Sequence, residues 1–213
     1  MEKEESIREL TAALLAGRAE EAKQKAYAAH AKGNTEREIL DAIMDAVNIV
    51  SDLQELDQYD QAKIAAVENA VSASLEVLEE WLQSSEEKFN VKVTVGPVGL
   101  KTGALSSLAI SASLRAVGFR STSLGKTQTA LDLLRNSEEL RADLVIPLLS
   151  RDGDQQVRTF NDAYERGGFK NKFNIIPVVD TTTDQTSENF DIARNVEEAI
   201  SKATEWALKN HRT

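Results

Sequence analysis

Three cations stand in loops rich in glycine and hydroxyl groups: Lys101 in "GPVGLKTG" (96–103), Lys126 in "LGKT" (124–127) and Arg151 in "SRDG" (150–153). Cations grouped with free backbone N–H groups at a helix start suit an anionic or amide-rich ligand. Gly99, Leu100, Thr102, Gly103, Gly125 and Ser150 share these loops, and "DTTT" from Asp180 and Thr181 makes a fourth. "GPVGLKTG" is not the phosphate-cradling G-x-x-x-x-G-K-[ST]: Gly96 to Gly99 is too short, and Leu100 intervenes before Lys101-Thr102. Nor is it G-x-G-x-x-G, so nucleotide hydrolysis by this loop is not expected. From Val95 to Ala104 there is no Asp, Glu, His or Cys. Asp180 is the one acid well placed at a strand end, and a lone Asp without a base partner does not make a catalyst.

The rest of the chain adds little reactive chemistry. Of two histidines, His30 lies near a helix end, where a cation suits the dipole, and His211 lies in the terminal "KNHRT". Without a His pair or a carboxylate cluster at the sheet edge, neither a metal site nor a His-based triad is expected. The chain has no cysteine, which excludes disulfides, thiolate metal sites and a Cys nucleophile. "DLQELDQYDQ" (52–61) is acidic but lacks the central glycine and terminal Glu of an EF-hand, and reads as a solvated helix–helix turn.

The elements that must position these loops fall into two halves with different periods. Residues 6–85 contain no Pro, and Gly17 and Gly33 fall at breaks. Ile7, Leu10, Ala13 and Leu14 give the first helix one apolar face. "GRAEEAKQKAYAAHAKGN" is a second helix, closed at Lys32-Gly33. "NTEREILDAIMDAVNIVSDLQEL" is a third, opened by an Asn or Thr cap, with Ile39, Ile43, Val47 and Val50 on its buried stripe. "YDQAKIAAVENAVSASLEVLEEWLQ" is a fourth, its stripe running from Ile64 to Leu82. The expectation is an antiparallel four-helix bundle over residues 1–88.

Over residues 89–213 strand and helix patterns alternate. "VKVTVG", "ADLVIPLLS", "FNIIPVVD" and, more weakly, "FRSTSLG" are strand candidates. Helical patterns cover 103–117, 127–136, 155–166 and 195–209. Alternating βα units predict a doubly wound parallel sheet of flavodoxin or Rossmann type, with ligands beyond the carboxyl ends of its strands.

Charge separates the halves too. Of the net −10, residues 1–90 carry 20 acids and 9 bases, and residues 91–213 carry 15 acids and 16 bases. An acidic half argues against nucleic acid as a partner. No apolar run approaches the roughly 20 residues that span a bilayer. "MEKEESIREL" is too acidic and polar for a signal peptide, and a cytoplasmic location is the default expectation.

The order of parts resembles the corrinoid proteins of anaerobic methyltransferase systems and the cobalamin-binding region of methionine synthase. The likeness covers nearly the whole chain. It is carried by "LTAALLAGRAEEAKQKAYAAHAKGNTEREILDAIMDAV" and, in the second half, by Ala116, Gly118, Phe119, Leu124, Gly125, Ala142, Asp143 and Val145. In that family the loop after the first strand reads D-x-H-x-x-G: the His coordinates cobalt, the Asp orients the imidazole and the Gly lets the nucleotide tail pass. Gly103 fills the Gly position here, but Val98 stands for the Asp and Leu100 for the His. Leu148 stands where the family uses a small or hydroxylated residue. Pro177 and Val178 stand near its Gly-Gly, which makes room for the dimethylbenzimidazole tail.

The resemblance implies a non-catalytic relative that binds cobalamin, base-off and without a His ligand, or a related small ligand, between bundle and sheet. Met44, Asn48 and Tyr59 are the bundle candidates for ligand contact, each equally readable as a core or surface residue. The implied role is that of a carrier or regulatory subunit beside a methyltransferase, the acidic bundle being a docking face. The alternative is a ligand-free scaffold that mimics a corrinoid subunit. No catalytic activity of the chain's own is expected.

Overall fold

The computed structural model describes residues 2–55, 58–82, 88–99, 103–126, 128–149, 153–179 and 190–210. The chain divides into two compact units, Met1–Glu86 and Glu87–Thr213. Among the described residues no helix is long and apolar enough to cross a membrane.

The first unit holds α1 (Glu2–Ala16), α2 (Ala19–Ala31), α3 (Glu36–Glu55) and α4 (Gln61–Leu82). Leu10, Ala13 and Leu14 of α1 are buried as the spacing predicts, together with Ile39, Ile43, Val47 and Val50 of α3 and Ile64, Val67, Val71 and Leu78 of α4. Alanines at 22, 26 and 29 fill the inner face of α2, which lets it lie close to α4. Gly17 turns the chain between α1 and α2 at φ +70°, where a Cβ would lie 2.7 Å from the Ala66 Cβ of α4. Both the left-handed backbone and the close approach demand glycine there.

Helix ends are closed by side chains from elsewhere in the unit. Tyr59 donates its hydroxyl to the Leu15 carbonyl (3.3 Å), and Lys63 donates its ammonium to the Ala16 carbonyl (2.8 Å). The last turn of α1 has no basic residue, so Lys63 supplies the cation that the helix dipole favours. Thr35 and Glu38 form a reciprocal capping box at the start of α3.

Apolar periodicity points Ile7 inward, yet Ser6 is the buried residue, because it meets Asn34 across the unit. The Asn34 amide donates to Ser6 Oγ and to the Ala29 carbonyl, both at 2.9 Å. Asn34→Ala should therefore cost the bundle about 1–2 kcal/mol, read as a lower urea midpoint; an unchanged midpoint would show that this link contributes nothing.

Carboxylates give the bundle a pH dependence of definite sign. A hydrogen bond from Lys25 holds Glu9 below its ordinary 4.5, and the Thr35 backbone N–H does the same for Glu38. Their contribution is complete above about 4.5 and is lost as pH falls through the lower folded values. Glu68, raised by burial, runs the other way. The urea midpoint should fall below pH 4.5, and Glu38→Gln should shrink that dependence.

The second unit contains β1 (Lys92–Pro97), α5 (Gly103–Ala116), β2 (Arg120–Ser123), α6 (Ala130–Glu139), β3 (Leu144–Leu149), α7 (Gly153–Arg166), β4 (Asn174–Ile175), β5 (Val178–Val179) and α8 (Val196–Asn210). The sheet is parallel throughout, in the order β2-β1-β3-β4, with β5 also on β3. β4 and β5 keep one register on β3, with Leu144 opposite Asn174 and Leu148 opposite Val178. They are a single strand, "NIIPVV", whose ladder is broken where Pro177 has no N–H to give.

Alternate residues of the strands feed two helix layers. Val93, Val95, Leu144, Ile146, Leu148, Ile176 and Val178 pack with Ile110 and Leu114 of α5 and with the alanines of α8. Val145, Leu149, Ile175 and Val179 pack with Leu133 and Leu134 of α6 and with Val157 and Phe160 of α7. This is the Rossmann-like architecture, here preceded by a helical bundle. Two helices differ at their boundaries from the sequence expectation: α7 starts at Gly153 rather than 155, and α6 runs on to Glu139 rather than 136 and starts late. The helix expected from 127 begins at Ala130, because Gln128 forms a bridge with Val98 and Thr129 caps the helix by accepting from the Asp132 N–H.

A serine-rich seam joins α5 to the edge strand β2. Ser123 is bonded to Ser107 of α5, so Ser121, two residues earlier, faces the same helix, and Ser111 lies one turn after Ser107. The Ser111 and Ser121 hydroxyls are buried with no hydrogen-bond partner among the described residues. A buried hydroxyl without a partner costs free energy, so Ser111→Ala should stabilise the protein by about 1 kcal/mol. A fall in thermal midpoint would reveal a partner for that hydroxyl, such as a bound water.

Candidate functional site

Carboxyl ends of β1 and β3 lie side by side, and the chain leaves them in opposite directions, from β1 to the edge strand β2 and from β3 to β4. That divergence is the switch point at which open parallel sheets bind ligands.

The exit from β1 is fixed by the backbone. The Val98 N–H donates to the Leu148 carbonyl (2.9 Å), and the Gln128 N–H donates to the Pro97 carbonyl (3.3 Å). Gly99 follows at φ +71°, and a Cβ there would lie 3.4 Å from the Gln156 amide nitrogen of α7. Gly96, inside the strand, faces α6 so closely that a Cβ would meet Leu133 Cδ1 at 2.6 Å. The turn therefore rests on packed side chains.

A chain of hydroxyls fixes the exit from β2. Ser107 Oγ donates to the Val95 carbonyl (2.9 Å), so in its 2.7 Å contact with Ser123 the Ser123 hydroxyl must be the donor. The Gly125 N–H donates to Ser123 Oγ (3.3 Å), and the Leu124 N–H donates to the Val95 carbonyl (2.8 Å). The buried Ser107 thus holds together the first turns of α5, the end of β1 and the Gly125-Lys126 turn. Lys126 itself is exposed. Sequence reasoning passed over Ser107 and Ser123; the signal was a pair of hydroxyls one turn apart, Ser107 and Ser111, on the face of α5 that also carries its buried apolar residues.

Of the residues expected at the site, Gly99, Gly103, Gly125 and Lys126 are brought to this edge, and Gly103 is the first residue of α5. Leu100, Lys101, Thr102, Ser150, Arg151, Asp180 and Thr181 lie outside the described residues. In the bundle, Met44 is half-buried on α3 and Asn48 is exposed. Tyr59 is half-buried, with its hydroxyl committed to closing α1 and Lys63 Nζ 5.6 Å above its ring. His30 is near the end of α2 as expected, and it is engaged: its ring stacks on Trp81 at 3.9 Å and its Nε2 lies 3.2 Å from Glu36 Oε1.

The residues present do not fit lower-face ligation of cobalt. Among the described residues there is no group of three or more His, Cys, Asp or Glu able to hold a metal ion. By sequence, neither histidine of the chain lies in a loop that directly follows a strand. Val98 packs against the α6/α7 core, where a carboxylate would orient an imidazole in the D-x-H-x-x-G pattern. Leucine at 100 has no lone pair to offer.

No protein-family model matches the chain, and no curated protein matches it. Solved structures do. The methanol:cobalamin methyltransferase complex from Methanosarcina barkeri aligns at TM-score 0.46 and 17% identity, over 98% of this chain and 86% of that one. A cobalamin-binding protein from Desulfitobacterium hafniense DCB-2 aligns at TM-score 0.45 and 15% identity, over 94% and 98%. The monomethylamine corrinoid protein of Methanosarcina barkeri aligns at TM-score 0.68 and 18% identity, over 95% of this chain and 99% of that one. At that identity the likeness is one of architecture, and this chain has the fold of a corrinoid protein.

Proposed function

We propose that the chain binds a corrinoid, or a small anionic ligand of similar outline, at the carboxyl edge of its sheet, and that it supplies no protein ligand to cobalt. The observation that carries this reading is the switch point between β1 and β3. Its exit turns, at Gly99 and Gly125, are held in place by backbone and serine hydrogen bonds, beside the N-terminus of α5. The fold shared with the monomethylamine corrinoid protein supports a corrinoid over other ligands. Lys126, with Lys101 and Arg151 by sequence position, suits the amide carbonyls that fringe the ring of such a molecule.

Cobalt in such a complex is read as base-off, its own benzimidazole displaced as the ring seats on the sheet edge, and it takes no ligand from the protein. Redox or methyl-transfer chemistry then belongs to another polypeptide. The chain acts as a carrier or regulatory subunit beside a methyltransferase, and the acidic first half is the face that a basic partner surface would meet.

Mixing the purified chain with hydroxocobalamin tests the proposal. The expected result is a shifted visible spectrum, colour that stays with the protein through gel filtration and a raised thermal midpoint. A colourless protein with an unchanged midpoint would sink corrinoid binding and favour a ligand-free scaffold.

A further inference from the structure

Cobalamin makes two demands on a protein. Its corrin ring is flat and amide-fringed and can be held at a surface. Its nucleotide tail carries a phosphodiester, a ribose and a benzimidazole, and it must either enter a slot between a helix layer and the sheet or remain in solvent.

Among the described residues, both layers are packed up to the last residues of the strands. On the α5/α8 side, Val95, Leu148 and Val178 are 0%, 3% and 8% exposed, with Ala199 of α8 fully buried in the same cluster. α8 contributes alanines at its fully buried positions 199, 203 and 207, and its Val196, Ile200 and Trp206 pack against the same cluster. On the α6/α7 side, Leu133 reaches to within 2.6 Å of where a Gly96 Cβ would stand, and Phe160 is fully buried. Admitting a benzimidazole on either side would mean displacing well-packed aliphatic or aromatic side chains.

We infer that the chain holds a corrinoid by its ring alone, at the sheet edge, with the nucleotide tail outside the protein. It therefore accepts tail-less and complete corrinoids alike. The inference rests on the corrinoid reading above and narrows it to a ligand class. A tail that touches nothing adds nothing to affinity. Cobinamide, which has no lower base to displace, should bind at least as tightly as cobalamin.

The test is equilibrium dialysis of the full chain against hydroxocobalamin and aquohydroxocobinamide, each alone and then in competition. The expected result is a cobinamide Kd no more than threefold above that of cobalamin, with each ligand displacing the other. Cobinamide binding weaker than that would mean that the tail is gripped, and would overturn the inference while leaving corrinoid binding intact. Retention of neither ligand would remove the corrinoid reading itself, and this one with it.

Discussion

Strand β3 is the constraint on which the second unit depends. Every residue from Leu144 to Leu149 is buried, and the strand pairs in parallel with β1 on one side and with β4 and β5 on the other. A strand covered on both faces has no solvated side, so alternation cannot show and the run is continuously apolar. Its even-numbered residues feed the α5/α8 layer and Val145 and Leu149 the α6/α7 layer. Among the described residues, packing fills both layers up to the carboxyl ends of the strands.

Polar groups inside this core fasten helices to β1. Ser137 Oγ donates to the Leu133 carbonyl, which leaves Thr94 as the donor in their 2.7 Å contact and ties α6 to the middle of β1. Ser107 does the same for α5 at the strand's end. Each link satisfies a hydroxyl that burial would otherwise leave unpaired. The Ser107 link also sets where the Gly125-Lys126 turn sits, which connects core packing directly to the candidate site. Only the α5–β2 seam departs from this economy, with two buried hydroxyls lacking partners among the described residues.

In the bundle, Tyr59 is the one ligand-contact candidate that the structure commits elsewhere. Tyr59 and Lys63 close α1, and His30 is held between Trp81 and Glu36. The chain has one histidine besides His30, in the C-terminal tail. A corrinoid protein of the D-x-H-x-x-G pattern controls cobalt through an imidazole, whereas this chain has an aliphatic residue in its place. The fold is that of a corrinoid protein, while position 100 offers no lone pair to a metal.

Much of this was legible in the residues. The switch from a 3.6-residue period to short aliphatic runs after residue 88 marked a bundle followed by a parallel sheet, because each period fits only one way of burying an apolar face. Leucine at 100 and valine at 98 offer no lone pair at the two positions where the resemblance places a cobalt ligand and its partner. Tertiary structure decided what depends on distant pairings. Ser6 rather than Ile7 turns inward because Asn34 waits for it across the bundle. The helix after Gln128 starts late because Val98 claims that residue for a bridge. Ser107 organises the site edge only because the sheet brings Val95 and Ser123 to the same helix face. Local spacing fixes which face of an element is apolar; which polar atom meets which is settled only when elements far apart in sequence are packed together.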